Sequence, residues 1–268
     1  MKKLNNIKIV FIDIDGTLVN KRKHITLRTK KAIKRIIDKN IYVVLTSGRD
    51  ILHTIDKSKR ALASSIVIAS SGAQIYDYKQ KEMLYSNEID KETISKIWDY
   101  CNKKEIGIII KTLRGKYINK FLIGKDKENS ILITSKKELN NIETSQIILI
   151  SSNLELMLKT KKYLSKKNLL INKYSDSLLE KENSRYILDI NNQNVSKGIA
   201  IKILLKKLGL KKEESLCIGD YYNDLSMFRE CSYKVAMLNA CDEIKKEANY
   251  ITTSNNKNGV AEFLNKYL

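Results

Sequence analysis

The stretch that most constrains this chain is Ile7-Lys8-Ile9-Val10-Phe11-Ile12-Asp13-Ile14-Asp15-Gly16-Thr17, a nearly unbroken apolar run that stops at two carboxylates, a glycine and a threonine. Rich in Ile and Val and ended by a turn signal, it reads as a strand buried on both faces, the kind that parallel sheets use. Ligands of such sheets bind beyond the carboxyl ends of the strands, which is where Asp13 and Asp15 fall. Two acidic side chains there repel each other and lose hydration, so a cation or a proton must be shared between them. A bound divalent metal is the simplest answer. Gly16 lets the backbone turn sharply and approach a ligand, and the Thr17 hydroxyl can hydrogen-bond an anionic oxygen.

The pattern recurs. Residues 41–45 form a second apolar run that ends in Thr46-Ser47-Gly48-Arg49, where a hydroxyl beside a glycine lets side chain and backbone amide face an anion. A third run, 66–69, leads into Ser70-Ser71-Gly72-Ala73. Between the first two, Thr26 opens a predicted helix with apolar positions at Ala32, Ile33, Ile36 and Ile37. Further on, Ser196 is a candidate N-cap for a helix through Ile199, Ile203, Leu204 and Leu208 that stops at Gly209. Lys197 sits at its start, where a cation opposes the helix dipole unless something anionic holds it. The run 216–218 then ends in Gly219-Asp220-Tyr221-Tyr222-Asn223-Asp224, ahead of a short amphipathic helix. Oxygen ligands at this spacing suit a hard cation such as Mg²⁺.

From about residue 85 to 190 the pattern changes. Helical apolar spacing at Ile94, Ile97, Trp98 and Cys101 is followed by short strands at 106–110, 117–122 and 131–133. A similar series follows, with a strand at 145–150, a helix at 154–164 and strands at 169–174 and 186–190. Two rounds of helix and strands without phosphate-loop signatures predict an α+β module inserted into the first domain. Trp98 and its neighbours read as the core of that module, while Arg114, Lys116 and Tyr117 are either ligand-facing or ordinary loop and strand positions.

With 268 residues and 43% hydrophobic content the chain can bury a substantial core, as one large domain or two modest ones. No stretch approaches the ~20 apolar residues of a membrane span, and Asp13 comes too early for a leader's apolar segment to precede it. The expected location is the cytoplasm, with no membrane partner. Cys101, Cys217, Cys231 and Cys241 show no paired spacing and read as reduced packing residues. His24 and His53 have no carboxylate or cysteine partner in motif spacing and read as surface residues. The formal net charge of +20 raises nucleic acid as a partner. Pairs such as Lys30-Lys31, Lys161-Lys162, Lys206-Lys207 and Lys245-Lys246 fall on solvated helix faces without interleaved aromatics, which argues against a dedicated nucleic-acid surface. The positive field still favours phosphorylated substrates.

Taken together these stretches resemble the motifs of the haloacid dehalogenase (HAD) superfamily of phosphotransferases, most closely its Cof-like branch, HAD hydrolase subfamily IIB, along the whole chain. Asp13-Ile14-Asp15-Gly16-Thr17 matches the first motif, Ser47 the second, Lys197 the third and Gly219-Asp220-Tyr221-Tyr222-Asn223-Asp224 the fourth. Val235-Ala236-Met237-Leu238-Asn239-Ala240 is similar to the family's Ala-Met-Gly-Asn-Ala with Leu238 in place of glycine, and Ser71 stands where the family usually has Asn. The resemblance implies a Rossmann-like, doubly wound parallel-sheet core of the α/β class in two parts, residues 1–84 and 191–268. Residues 85–190 would be an α+β cap that governs substrate specificity.

It also implies a Mg²⁺-dependent phosphatase that hydrolyses small phosphorylated metabolites, sugar phosphates or similar, through an aspartyl-phosphate. Asp13 would be the nucleophile and Asp15 the acid and base. Ile14, Ser47, Gly48, Lys197 and Asn223 would hold the phosphoryl group, Asp13, Asp15 and Asp220 the metal, and Asp224 would support them from behind. Uncatalysed monoester hydrolysis is slow enough that accelerations up to ~10²¹ are needed, so charge neutralisation around the phosphoryl oxygens is the main task. The same core supports a sugar phosphomutase or a phosphatase dedicated to one sugar phosphate. A non-enzymatic basic nucleic-acid-binding protein is the remote alternative, and the reactive residue types kept in all four motifs argue against it.

Overall fold

The computed structural model describes residues 4–122, 129–167, 169–171, 180–182 and 185–268. Strand and helix alternate from the start: β1 (Ile9–Asp13), α1 (Leu27–Ile37), β2 (Tyr42–Thr46), α2 (Ile51–Ala61) and β3 (Ile66–Ala69), then β4 (Gln74–Asp77) and β5 (Glu82–Ser86). A second group follows: α3 (Lys91–Lys103), β6 (Gly107–Thr112), β7 (Gly115–Ile118), β8 (Ser130–Leu132), β9 (Gln146–Ser151), α4 (Leu154–Leu164), β10 (Leu169–Ile171), β11 (Glu180–Glu182) and β12 (Arg185–Asn192). The chain closes with α5 (Lys197–Lys207), β13 (Ser215–Gly219), α6 (Leu225–Glu230), β14 (Tyr233–Ala236), α7 (Asp242–Glu247), β15 (Tyr250–Ile251) and α8 (Gly259–Tyr267). Contacts divide it into two compact units, Met1–Tyr85 with Ser196–Leu268, and Ser86–Val195.

In the first unit the strands lie in the order β15-β14-β13-β1-β2-β3-β4-β5. Pairing is parallel from β15 through β3, and β4 runs antiparallel to β3. Every residue of β1 is buried, as its apolar run requires. From β1 the chain steps outward in both directions, through β2 and β3 on one side and β13, β14 and β15 on the other. In a doubly wound sheet right-handed crossovers set the crossover helices of the two halves on opposite faces. Accordingly α1 packs with α2 and α8, while α5 packs with α6. This is the doubly wound α/β arrangement expected.

Local chemistry explains the helix borders. The Thr26 side chain accepts the Thr29 N–H at the start of α1, and Ser196 caps α5 through the Ile199 N–H. Gly209, in the left-handed region with φ 66°, ends α5. Helix α2 was not anticipated. Its buried face is Ile51, Thr54, Ser58 and Ala61, too poor in large apolar residues to announce a 3.6-residue period, and its start is set by the Asp50 cap on His53.

The second unit is a sheet in the order β10-β12-β9-β6-β7-β8, with β11 also pairing β12. Ile94, Ile97, Trp98 and Cys101 of α3 and Met157 and Leu164 of α4 pack on Ile108, Ile110, Ile147, Leu149, Leu188 and Ile190. Alternate residues Ile109, Ile118 and Ile150 form a separate cluster on the opposite face of the pleat. Tyr117 packs toward the helix side, Lys116 is half-buried, and Arg114 is exposed in the turn between β6 and β7. The strand expected to reach Leu122 ends at Ile118. The cause is the buried Asn119, whose carboxamide accepts the Ile108 N–H and donates to the Ile106 carbonyl. Of the strand expected over 169–174, residues 172–174 lie outside those described. Strand β12 runs on past Ile190, so the unit closes at Val195. Among the described residues no helix is long and apolar enough to cross a membrane.

Candidate active site

Asp13 is the last residue of β1 and is 5% exposed. Strands β13 and β2 flank β1 in parallel register, Ile12 opposite Ile218 and Asp13 opposite Thr46, so Asp220 and Ser47 emerge at the same edge of the sheet. Lys197, the first residue of α5, donates from Nζ to Asp13 Oδ1 at 2.5 Å and to Asp224 Oδ1 at 2.7 Å, and is 1% exposed. The anion that the misplaced helix-start cation required is thus a pair of carboxylates. Asp224 Oδ2 accepts the backbone N–H groups of Asp220 and Tyr221, at 2.9 and 3.1 Å. The Thr17 hydroxyl donates to Asp220 Oδ1 at 2.7 Å. Gly16, with φ +87°, is required twice over, because a Cβ there would lie 2.1 Å from Asp220 Oδ2. Gly198 allows the close approach of α5 to α6, since its Cβ would meet the Ser226 carbonyl oxygen at 2.3 Å.

Burial is the leading cause that raises the Asp13 carboxyl well above the usual range; Asp224 adds to it and Lys197 opposes it. Asp220 is pushed up to about 6, first by burial and then by Asp224, against the Thr17 hydrogen bond. For Lys197, burial alone would depress the ammonium, but Asp13 and Asp224 outweigh it and hold the group protonated. Three carboxylates, with one oxygen from each mutually within 4.8 Å, therefore lie together, and two of them bond the Lys197 ammonium. Both oxygens of Asp224 are committed to Lys197 and to the backbone, whereas Asp13 and Asp220 each keep an oxygen outside these bonds. Hard oxygen donors carrying surplus negative charge fit Mg²⁺.

Asp15 lies apart from this cluster, with its side chain 34% exposed. Lys23 Nζ reaches its Oδ1 at 2.7 Å and Arg49 Nε its Oδ2 at 3.2 Å. Burial would raise its carboxyl, but the Lys23 hydrogen bond and the charges of Arg49 and Lys23 hold it below the ordinary value. Ser47 is buried, and its Oγ accepts the Arg49 N–H at 3.0 Å, which leaves its own O–H to donate; Gly48 is the turn residue between them. The Ile14 side chain is fully buried and its carbonyl accepts from Leu18 and Val19, so any anion contact it makes comes from its N–H. Asn223 is half-buried in the turn that carries Asp224, and its side chain makes none of the contacts that join the cluster.

Sequence reasoning gave no role to Lys23, Arg49 or Asn239. Asn239 Nδ2 donates to the Gly16 carbonyl and its Oδ1 accepts the Asn255 N–H, both at 2.9 Å. The only available signal for Asn239 was its place in the Ala-Met-Leu-Asn-Ala stretch; Lys23 was one lysine among many. His24 is exposed, but His53 is half-buried in the first turn of α2 rather than on the surface. Ser70 and Ser71 both adopt left-handed backbone, φ 51° and 61°, a conformation Asn tolerates better than Ser. Leu238 is 55% exposed and lies outside the left-handed region, so its bulk points into solvent and no glycine is needed there.

Acidic strand ends around a buried lysine, on a doubly wound sheet, define an α/β enzyme that handles a charged group at the carboxyl edge. Residues 10–264 match the haloacid dehalogenase-like hydrolase family, and the chain belongs to it. It is 30% identical to the 5-amino-6-(5-phospho-D-ribitylamino)uracil phosphatase YcsE of Bacillus subtilis, across 98% of this chain and 96% of that protein. A haloacid dehalogenase-like hydrolase from Bacteroides thetaiotaomicron has the same fold, with a TM-score of 0.84 at 24% identity over 98% of this chain and 100% of that one. The HAD subclass IIB sugar phosphatase BT4131 is similar over 97% of this chain and 98% of its own, with a TM-score of 0.75 at 22% identity. The protein is thus a HAD-type phosphoric monoester hydrolase.

Proposed function

We propose that this phosphatase is Mg²⁺-dependent, acts on small phosphorylated metabolites such as sugar phosphates, and works through an aspartyl-phosphate on Asp13. The observation that carries the reading is the buried Asp13–Lys197 contact at the end of β1, with Asp220 alongside. Replacing such a buried charge cluster by apolar residues is often neutral or stabilising, so packing gives no reason to keep it. A nucleophile for an anionic substrate does.

In the first half-reaction an Asp13 oxygen bonds to phosphorus as the ester P–O bond breaks, and Asp15 gives its proton to the leaving oxygen. The incoming phosphoryl group, a like charge close to Asp15, raises that carboxyl's proton affinity against the pull of Lys23 and Arg49. In the second, Asp15 takes a proton from water as the water oxygen bonds to phosphorus. The bond to Asp13 breaks, inorganic phosphate leaves, and both carboxyls return to their starting states. Lys197, the Ser47 hydroxyl, the Ile14 and Gly48 N–H groups and the Asn223 amide serve the phosphoryl oxygens. Asp13, the Asp15 main-chain carbonyl and Asp220 would hold Mg²⁺, and Asp224 fixes Lys197 and the Asp220 backbone behind them. When bound, the metal supplies the charge neutralisation that lets an anionic nucleophile meet an anionic substrate.

In this reading the compact unit Ser86–Val195 is the part of the chain that selects the leaving group, as the resemblance implies. YcsE is by name a phosphatase of 5-amino-6-(5-phospho-D-ribitylamino)uracil, which supports a small phosphorylated substrate here too. The test is phosphate release from a panel of sugar phosphates, nucleotides and cofactor phosphates, with and without Mg²⁺, with Asp13→Asn as the blank. Metal-dependent release that vanishes in the folded Asp13→Asn protein is expected. Retained turnover in that variant, or isomer conversion without phosphate release, overturns the reading.

A further inference from the structure

We infer that Lys23 is a positioning residue for Asp15, an assignment that rests on the phosphatase reading above. Lys23 occupies left-handed backbone at φ 60°, although it is not a glycine. Its loop is over-determined. The Asn20 N–H donates to the His24 carbonyl and the Lys23 N–H to the Asn20 carbonyl, while Asn20 Oδ1 accepts the N–H groups of Arg22 and His24. From far along the chain, Asn256 Oδ1 accepts the Lys21 N–H, Asn255 Nδ2 donates to the Val19 carbonyl, and Asn239 holds the Gly16 carbonyl. The strand-to-loop path on both sides of Lys23 is therefore fastened, and its ammonium is delivered 2.7 Å from Asp15 Oδ1.

Arg49 approaches the other oxygen from the loop after β2. Held at both oxygens, the carboxylate is biased toward one rotation about its Cβ–Cγ bond, and that rotation decides which lone pair faces the leaving oxygen and the attacking water. Stability does not account for the arrangement. The Lys23 side chain is 64% exposed, and an exposed ion pair contributes little to folding. Left-handed backbone at a non-glycine residue persists where the surroundings over-determine it, as the bonds from Asn20 and Asn256 do around Lys23.

The experiment uses the full chain with Mg²⁺ and the best substrate of the panel. Lys23→Met keeps the stem and removes the charge, and Lys23→Arg restores a cation. The Met variant should lose about 10- to 100-fold in kcat, with KM changed by less than about twofold. The Arg variant should recover most of the loss, and Asn20→Ala should lower kcat in the same direction. In an Asp15→Asn background Lys23→Met should have no further effect. A rise in KM at unchanged kcat would make Lys23 a substrate contact and overturn the assignment, as would unchanged kinetics or a full additional loss in the Asp15→Asn background. A second readout needs no turnover. After reductive methylation with ¹³C-formaldehyde, the resonance missing from Lys23→Arg identifies Lys23, and it should shift in Asp15→Asn. A resonance indifferent to Asp15→Asn overturns the contact, whereas absence of phosphate release from the wild type with the shift present would count against the phosphatase reading alone.

Discussion

Lys197 shows how one side chain can serve fold and chemistry together. A lysine 1% exposed is tolerated because Asp13 and Asp224 both accept from its ammonium. Breaking a buried charge pair from one side typically costs about 3–5 kcal/mol, because the remaining charges are stranded in a dry site. Lys197→Met is therefore expected to lose about 3 kcal/mol or more in urea unfolding, together with turnover. A variant as stable as the wild type would mean that the three carboxylates do not need the cation. At the opposite extreme stand Ser70 and Ser71, whose left-handed backbone no sequence pattern announced. Ser71 was visible only as a departure from the family's Asn. The backbone angle gives the physical meaning of that departure.

At the scale of elements, the borders that side chains write locally were the legible ones. Thr26 and Ser196 mark two of them; the Asp90 cap of α3, whose side chain accepts the Thr93 N–H, was not read from the sequence. Asp90→Ala should cost about 1 kcal/mol, and Asp90→Asn much less. Hydrogen bonding, led by the Thr93 side chain and then its backbone, holds the Asp90 carboxyl below its ordinary 3.8. A carboxyl depressed on folding stabilises above its unfolded value and loses that contribution as pH falls through the folded value. The gap between wild type and Asp90→Ala in urea should thus be full at pH 7 and narrow toward that of a neutral cap below about pH 3.8; a gap constant into acid would rule out a contribution from the charge. Elements defined by tertiary partners were not legible. Helix α2 hides a buried face of Thr54 and Ser58, and β7 is cut short by an Asn119 amide that bonds back to residues 106 and 108.

For the whole molecule, the proposed metal site would link Mg²⁺ binding to folding of the first unit through the cluster's three carboxylates. A ligand that binds only the folded state at 100 times its Kd stabilises by about 2.7 kcal/mol. Saturating Mg²⁺ is expected to raise Tm, and Asp220→Asn to abolish most of that rise; an unchanged Tm, or a rise that survives Asp220→Asn, would remove Asp220 from the metal site. The overall charge of +20 plays no such local part, because its lysines are spread over solvated faces such as those of α1 and α4. By itself the sequence determined the buried central strand, the caps of α1 and α5, the glycine at Gly16 and the strand-end positions of Asp13 and Asp220, because runs, periods and turn chemistry act over a few residues; Lys197 stood out through its place at a helix start and its match to the family's third motif. Only the tertiary structure decided that Lys197 Nζ bridges Asp13 and Asp224, that Thr17 serves Asp220, and that Lys23 and Arg49 hold Asp15. The first and second of these join residues 184 and 203 positions apart. Such contacts depend on the strand order β13-β1-β2 and on close approach at Gly16 and Gly198. No local pattern encodes the order of strands in a sheet.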